Sequence, residues 1–210
     1  MVDKGSLHKD DIVFFPNPST ALNTVLRSLD LKKGDEILTT NHEYGAMDRA
    51  WRFICKKRGS VYINQHISLP LTSKEQFIHE FKKGITKNTK VVYYETIANP
   101  NMRVTAIPPL VKLAHDNNLL VICDNTFASP YNQLPLILGA DAVVHSSTKY
   151  LGGHSDLIGG AIVVKDDEEF AERIKFLQNA IGSVPSPFDC YMLITVSYTH
   201  LRAHETRHDL

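Results

Sequence analysis

Asp124 and Lys149 are the two side chains in this sequence whose setting could support chemistry. Asp124 closes an apolar, β-branched run, LLVICD. Lys149 follows a second short strand (Ala142 to Val144) and the polar string His145-Ser146-Ser147-Thr148. In an open α/β sheet, ligands bind outside the carboxyl ends of the strands. A lysine amine there can condense with an aldehyde, a carboxylate can keep a ring nitrogen protonated, and hydroxyls can hold a phosphate. That combination suits pyridoxal phosphate (PLP). Each residue taken alone also reads as an ordinary solvated turn residue.

The wording around the pair is more specific. ETIANP (Glu95 to Pro100), DNTF, HSSTKYLGGHSD and VPSPFDCYML resemble the PLP segment of the Cys/Met-metabolism (transsulfuration) enzymes, the cystathionine lyases and synthases and methionine γ-lyase. The resemblance covers about residues 83–194 and is nearly continuous from about Glu95 to Ile194. It implies Lys149 as the Schiff-base lysine and, once freed, the base at the substrate Cα. It implies Asp124 as partner of the pyridinium nitrogen, Ser146 and Thr148 as phosphate hydroxyls, and Asn99 as donor to the phenolic oxygen. The reaction implied is elimination or replacement at the β or γ carbon of a sulfur amino acid, in a homo-oligomer for the full-length family. His145 and His154 belong to the same wording and suit a structural role.

Residues 11–81, FFPNPSTALNTVLRSLDL onward, resemble class V aminotransferases of the isopenicillin N epimerase type. This second resemblance implies a phosphate-binding turn at Ser19 and Thr20, with Asn17 ahead of them, and makes Tyr44 the residue that stacks on the PLP ring. His42 is left without a role. The two families share the aspartate-aminotransferase-like PLP fold, so residues 1–194 are expected to form one PLP-binding large domain with a seam near 82–95. Residues 195–210, TVSYTHLRAHETRHDL, resemble sequencing-adapter read-through and are expected to be foreign to the fold. His200, His204 and His208 recur every fourth residue there, but no metal site is expected. The family's small C-terminal domain and its N-terminal arm are expected to be missing, and Ile97 stands where the family usually has proline. Impaired activity, and weak PLP binding or none, follow as expectations. Two other readings stay open: a class V epimerase or cysteine desulfurase, and an inactive fragment or non-catalytic module.

The elements that must position these residues alternate in type. Strands are expected at DIVFF, DEILTT, SVYIN, KVVYYE, LLVICD and GGAIVVK. Helices are expected after Ser19 or Thr20 as N-cap, from the Asn41–Trp51 stretch to about Lys57, after Thr72 or Ser73, from IPPLVK, and from DDEEFAERIKF. Alternation of this kind predicts an α/β fold with a mainly parallel sheet and helices on both faces.

Composition sets the outer bounds. The 210 residues are 43% hydrophobic and carry zero formal net charge, enough for one domain with a core and no reason to expect nucleic acid or anionic membrane as partner. No apolar run approaches the roughly 20 residues that span a bilayer, and MVDKGSLHKDD lacks a signal-peptide pattern. The three scattered cysteines, Cys55, Cys123 and Cys190, read as reduced thiols of a cytoplasmic protein.

Overall fold

The computed structural model describes residues 12–165 and 168–196. In chain order the described elements are β1 (Ile12–Phe15), α1 (Pro18–Ser28), β2 (Glu36–Thr40), α2 (Gly45–Arg58), β3 (Val61–Gln65), α3 (Lys74–Lys82) and β4 (Thr89–Glu95). There follow α4 (Ile107–His115), β5 (Leu120–Asp124), α5 (Ser129–Asn132), β6 (Ala142–Ser146), β7 (Gly160–Val164), α6 (Glu168–Ile181) and α7 (Pro187–Val196). They fall into two compact units, one within residues 29–124 and 135–143, the other within 1–28, 125–134 and 144–210.

The strands β2 to β5 of the first unit are all parallel, in the order β3-β2-β4-β5. Parallel strands need crossover connections, and α2, α3 and α4 supply them. Val121, Ile122 and Cys123 are consecutive and all fully buried, so both faces of β5 are covered, as parallel sheets require. Met47, Trp51, Ile54 and Cys55 recur at helical spacing and form the buried face of α2. Trp51 meets Tyr93 of β4 edge-on at 5.5 Å. Gly59, at φ +73°, ends α2 in the left-handed conformation that a side chain would disfavour. Ser73 caps α3 by accepting the Gln76 N–H at 3.1 Å, while Gln76 accepts from Thr72 in return. Register sets the functional edge: Glu95 of β4 pairs with Asp124 of β5, so two carboxylates end neighbouring strands.

In the second unit β1 pairs antiparallel with β7, from Ile12↔Val163 to Phe15↔Gly160. Ala21, Leu22, Val25 and Leu26 form the buried face of α1. The cap of α1 is Asn17, whose Oδ1 accepts the Thr20 N–H at 2.7 Å, and not Ser19 or Thr20 as expected. Pro18 explains the difference: it has no N–H to satisfy and its fixed φ suits the first helical position, so the residue before it becomes the cap. α7 was not anticipated, because its apolar residues surround the helix without a period. The expected foreign segment overlaps it. Thr195 and Val196 complete its last turn, and Val196 is 3% exposed. Residues 197–210, His200, His204 and His208 among them, lie outside the described residues.

Candidate functional site

In the unit of residues 29–124 and 135–143, the polar groups gather at the carboxyl ends of β2, β4 and β5. Asp124 is half-buried at the end of β5, and its backbone C=O accepts the Thr96 N–H at 2.9 Å. After Glu95 the chain makes a hairpin rather than an open turn, with Ala98 N–H donating to Arg103 O and Thr105 N–H to Thr96 O. Asn99 sits at its tip, and Ile97 bridges antiparallel to Val104 within it. Tyr44 starts α2 with 52% of its surface exposed, free to offer a ring face. Loops carried at the ends of a rigid sheet are where binding residues are commonly placed.

Under these loops lies a polar cluster the sequence did not announce. Glu95 Oε1 accepts the Tyr44 N–H at 2.8 Å and Oε2 accepts the Asn99 N–H at 3.0 Å. Glu43 Oε1 accepts the Thr40 hydroxyl at 2.6 Å, while its Oε2 is sealed from solvent and unpaired. Arg103 donates Nε to His42 Nδ1 at 3.1 Å and Nη1 to Thr105 Oγ1 at 2.9 Å, and its guanidinium lies over the Phe77 ring. Burial, with Glu95 nearby, pushes the Glu43 carboxyl up to about 8. Burial, with Asp124 nearby, pushes Glu95 up to about 7. Burial and the Arg103 charge lower His42, consistent with a neutral ring accepting from the guanidinium. His42 thus has a place, as the acceptor that orients Arg103. The one sequence signal for Glu95 was an acidic residue closing an otherwise apolar strand. Arg103 and Glu43 gave none.

The other unit holds the lysine. β6 is buried along its length and ends at Ser146. A single wide turn, Ser147–Leu151, follows, and its backbone leaves helical geometry at Lys149 (φ −92°, ψ −121°). Lys149 is exposed. Ser146 N–H donates to Thr126 Oγ1 at 2.8 Å, fixing the strand end, but Ser146 Oγ and Ser147 Oγ are sealed from solvent and without a partner. Thr148 Oγ1 accepts the Gly159 N–H at 3.0 Å, so this expected phosphate hydroxyl is engaged with the start of β7. Ser19 and Thr20 lie in the first turn of α1, Ser19 exposed and Thr20 half-buried. Gly160 brings that turn against β7: a Cβ there would stand 2.8 Å from Asn17 O and 2.9 Å from Pro18 Cα. His145 is buried with an unpaired Nδ1, and desolvation lowers it to about 4, so it stays neutral.

Each unit therefore carries its own share of groups that fit PLP. One has a strand-end carboxylate, a side-chain amide and an exposed ring; the other has an accessible amine beside buried unpaired hydroxyls and a helix N-terminus, a ready anion site. Among the described residues no His, Cys, Asp and Glu cluster could hold a metal ion, and no helix is long and apolar enough to cross a membrane.

Comparison with known proteins gives a consistent result. The probable cystathionine γ-synthase of Herpetosiphon aurantiacus is 40% identical over 166 residues, covering 79% of this chain and 49% of that protein. The L-methionine γ-lyase of Fusobacterium nucleatum subsp. polymorphum is 43% identical over 167 residues, covering 78% and 40%. The crystal structure of cystathionine γ-lyase from Lactobacillus plantarum complexed with L-serine matches with a TM-score of 0.79 at 39% identity, over 91% of this chain and 47% of the other. That of metB from Corynebacterium glutamicum gives 0.80 at 34% identity, over 96% and 55%. The chain thus spans about half the length of the relatives it matches, and shares their aspartate-aminotransferase-like α/β fold. These matches lend no support to the class V resemblance of residues 11–81 or to the read-through resemblance of residues 195–210. The profile of the "Cys/Met metabolism PLP-dependent enzyme" family covers residues 9–208, and the chain belongs to that PLP-dependent enzyme family.

Proposed function

We propose that this chain is the cofactor-bearing part of an enzyme that eliminates or replaces a sulfur- or oxygen-bearing group at the β or γ carbon of a sulfur amino acid. The observation that carries the reading is the turn after β6: an exposed Lys149 follows Ser146 and Ser147, whose hydroxyls are buried and unpaired. A buried unpaired hydroxyl is costly, and a bound phosphate would satisfy it.

In this reading Lys149 Nζ would hold the cofactor aldehyde, and as a free amine it would take the proton from the substrate Cα and return it later. Asp124 holds a proton on the pyridine nitrogen. Asn99 donates to the phenolic oxygen, and Tyr44 covers a ring face. Ser146, Thr148 and the first turn of α1 at Ser19 and Thr20 hold the phosphate. PLP, when bound, supplies an electron sink for the pair left at Cα. The substrate class comes from the relatives, which are cystathionine and methionine lyases and synthases by name. Turnover by the chain as written is proposed to be impaired, and the partner beyond substrate is another copy of the family-length protein. The setting is cytoplasmic.

Incubation with PLP followed by borohydride reduction tests the assignment. A phosphopyridoxyl mass on the peptide containing Lys149, absent in Lys149→Ala, is the expected result. Label spread over other lysines, or none, would refute it. Release of pyruvate or 2-oxobutyrate from cystathionine then tests the reaction class.

A further inference from the structure

Tyr44 and Asn99, given above to the cofactor ring, sit on separate loops of the unit formed by residues 29–124 and 135–143. A single side chain joins them. Glu95 is 5% exposed at the end of β4, and its two oxygens accept the Tyr44 N–H at 2.8 Å and the Asn99 N–H at 3.0 Å. Both donors are backbone groups, so the bonds fix where the loops lie and not merely where two side chains point. The same residue also anchors the far limb of the hairpin, because the Glu95 C=O accepts the Thr105 hydroxyl at 2.8 Å. The Arg103 Nε bond to His42 Nδ1 at 3.1 Å also links the hairpin to the loop before α2, but it reaches neither Tyr44 nor Asn99.

We propose that Glu95 is a positioning residue: by holding these two N–H groups on one carboxylate, it sets the separation of Tyr44 and Asn99 and hence the grip of this unit on the cofactor ring. The proposal rests on the reading that Tyr44 and Asn99 contact PLP. A carboxylate suits the task because it is acceptor-only, with one oxygen for each donor. An amide in its place keeps one acceptor and turns a donor toward the other N–H.

The surroundings make the clamp sensitive to pH. Asp124 on β5 and Arg103 on the hairpin act on this carboxyl, which in turn acts on Glu43 in the loop after β2 and on Tyr93 of β4. Burial and Asp124 raise it to about 7 against the opposing pull of Arg103 and the two N–H bonds. Above that pH both oxygens accept. Below it one becomes an O–H group, and the hold on one loop weakens.

The test compares the full chain with Glu95→Gln by amide hydrogen exchange at Tyr44 and Asn99, by PLP titration followed in absorbance, and by thermal midpoint. In the variant, protection of at least one of the two amides should fall at least about tenfold and PLP should bind about tenfold more weakly, as expected for losing a charge-assisted bond. The variant's PLP affinity and amide protection should also lose their change near pH 7. Asn99→Ala should cost less in the Glu95→Gln background than alone, which a merely structural role would not produce. If Glu95→Gln fails to fold, the wild-type amides decide: protection that falls as pH drops through 7 supports the clamp, and constant protection overturns it. Wild-type protein that binds PLP while Glu95→Gln matches it in affinity and protection overturns the proposal and leaves the functional reading intact. Wild-type protein that takes up no PLP overturns the assignment of Tyr44 and Asn99, and the proposal with it.

Discussion

Ser146 offers a test in which stability and binding move apart. Its Oγ is buried and unpaired, so removing it by Ser146→Ala leaves no partner unsatisfied. Replacing such a group by a methyl is close to neutral for folding. The thermal midpoint should therefore hold within about 2 °C or rise slightly, whereas affinity for PLP should drop about tenfold if the hydroxyl meets the phosphate. An unchanged affinity measured by titration would remove Ser146 from the site. Lys149→Ala, by contrast, abolishes the borohydride-trapped adduct outright, since no other atom can replace a covalent partner. Legibility differed sharply at this scale. Lys149 and Asp124 were singled out in one dimension by a Ser/Thr-rich turn, a strand end and the family wording around both. Glu95, Glu43 and Arg103 were not, because their meaning lies in contacts with backbone and side chains up to 61 positions away.

The start of α1 is where elements rather than residues set the chemistry. Its N-terminus can meet an anion only if it lies against β7, and Gly160 permits that approach. A methyl at Gly160 would meet Asn17 O and Pro18 Cα, both backbone, at under 3.0 Å. Neither can swing aside as a side chain would, so Gly160→Ala should displace the first turn of α1. We expect a fall in thermal midpoint of several degrees, corresponding to about 1–3 kcal/mol of overpacking, together with weaker PLP binding. Circular dichroism melts and the same titration measure both. Alternation of strand and helix gave the class directly from the hydrophobic periods, and the caps at Ser73 and Gly59 follow standard end signals. The cap at Asn17 was misplaced because the Ser-Thr pair competes with it in sequence, and only Pro18 breaks the tie. α7 escaped because PFDCYMLITV has no amphipathic period; Phe188, Tyr191 and Ile194 are exposed while Val196 is buried.

At the scale of the whole molecule, the buried ionisable groups should tilt the stability curve toward acid. Glu43 and Glu95 have folded-state values of about 8 and about 7, above the 4.5 of a free carboxyl. Between pH 4.5 and those values the folded chain binds more protons than the unfolded one, so unfolding free energy falls as pH rises and levels off above about 8. His145 acts in the other direction. Held near 4 against a free value of 6.5, it makes the unfolded chain the greater proton binder, so stability rises with pH between 4 and 6.5. His42, also lowered, adds to the rising side, so up to pH 6.5 the two imidazoles offset much of the decline; from there to about 7 both carboxyls fall unopposed, and from about 7 to about 8 Glu43 falls alone. Glu43→Gln removes the larger falling contribution. It should stabilise the cofactor-free chain at pH 8 by at least about 1 kcal/mol, or roughly 2–4 °C, with a much smaller gain at pH 5. Thermal melts at the two pH values decide it. A variant equally stabilised or destabilised at both would mean that Glu43 is ionised in the fold throughout, with a charge partner supplied by the chain.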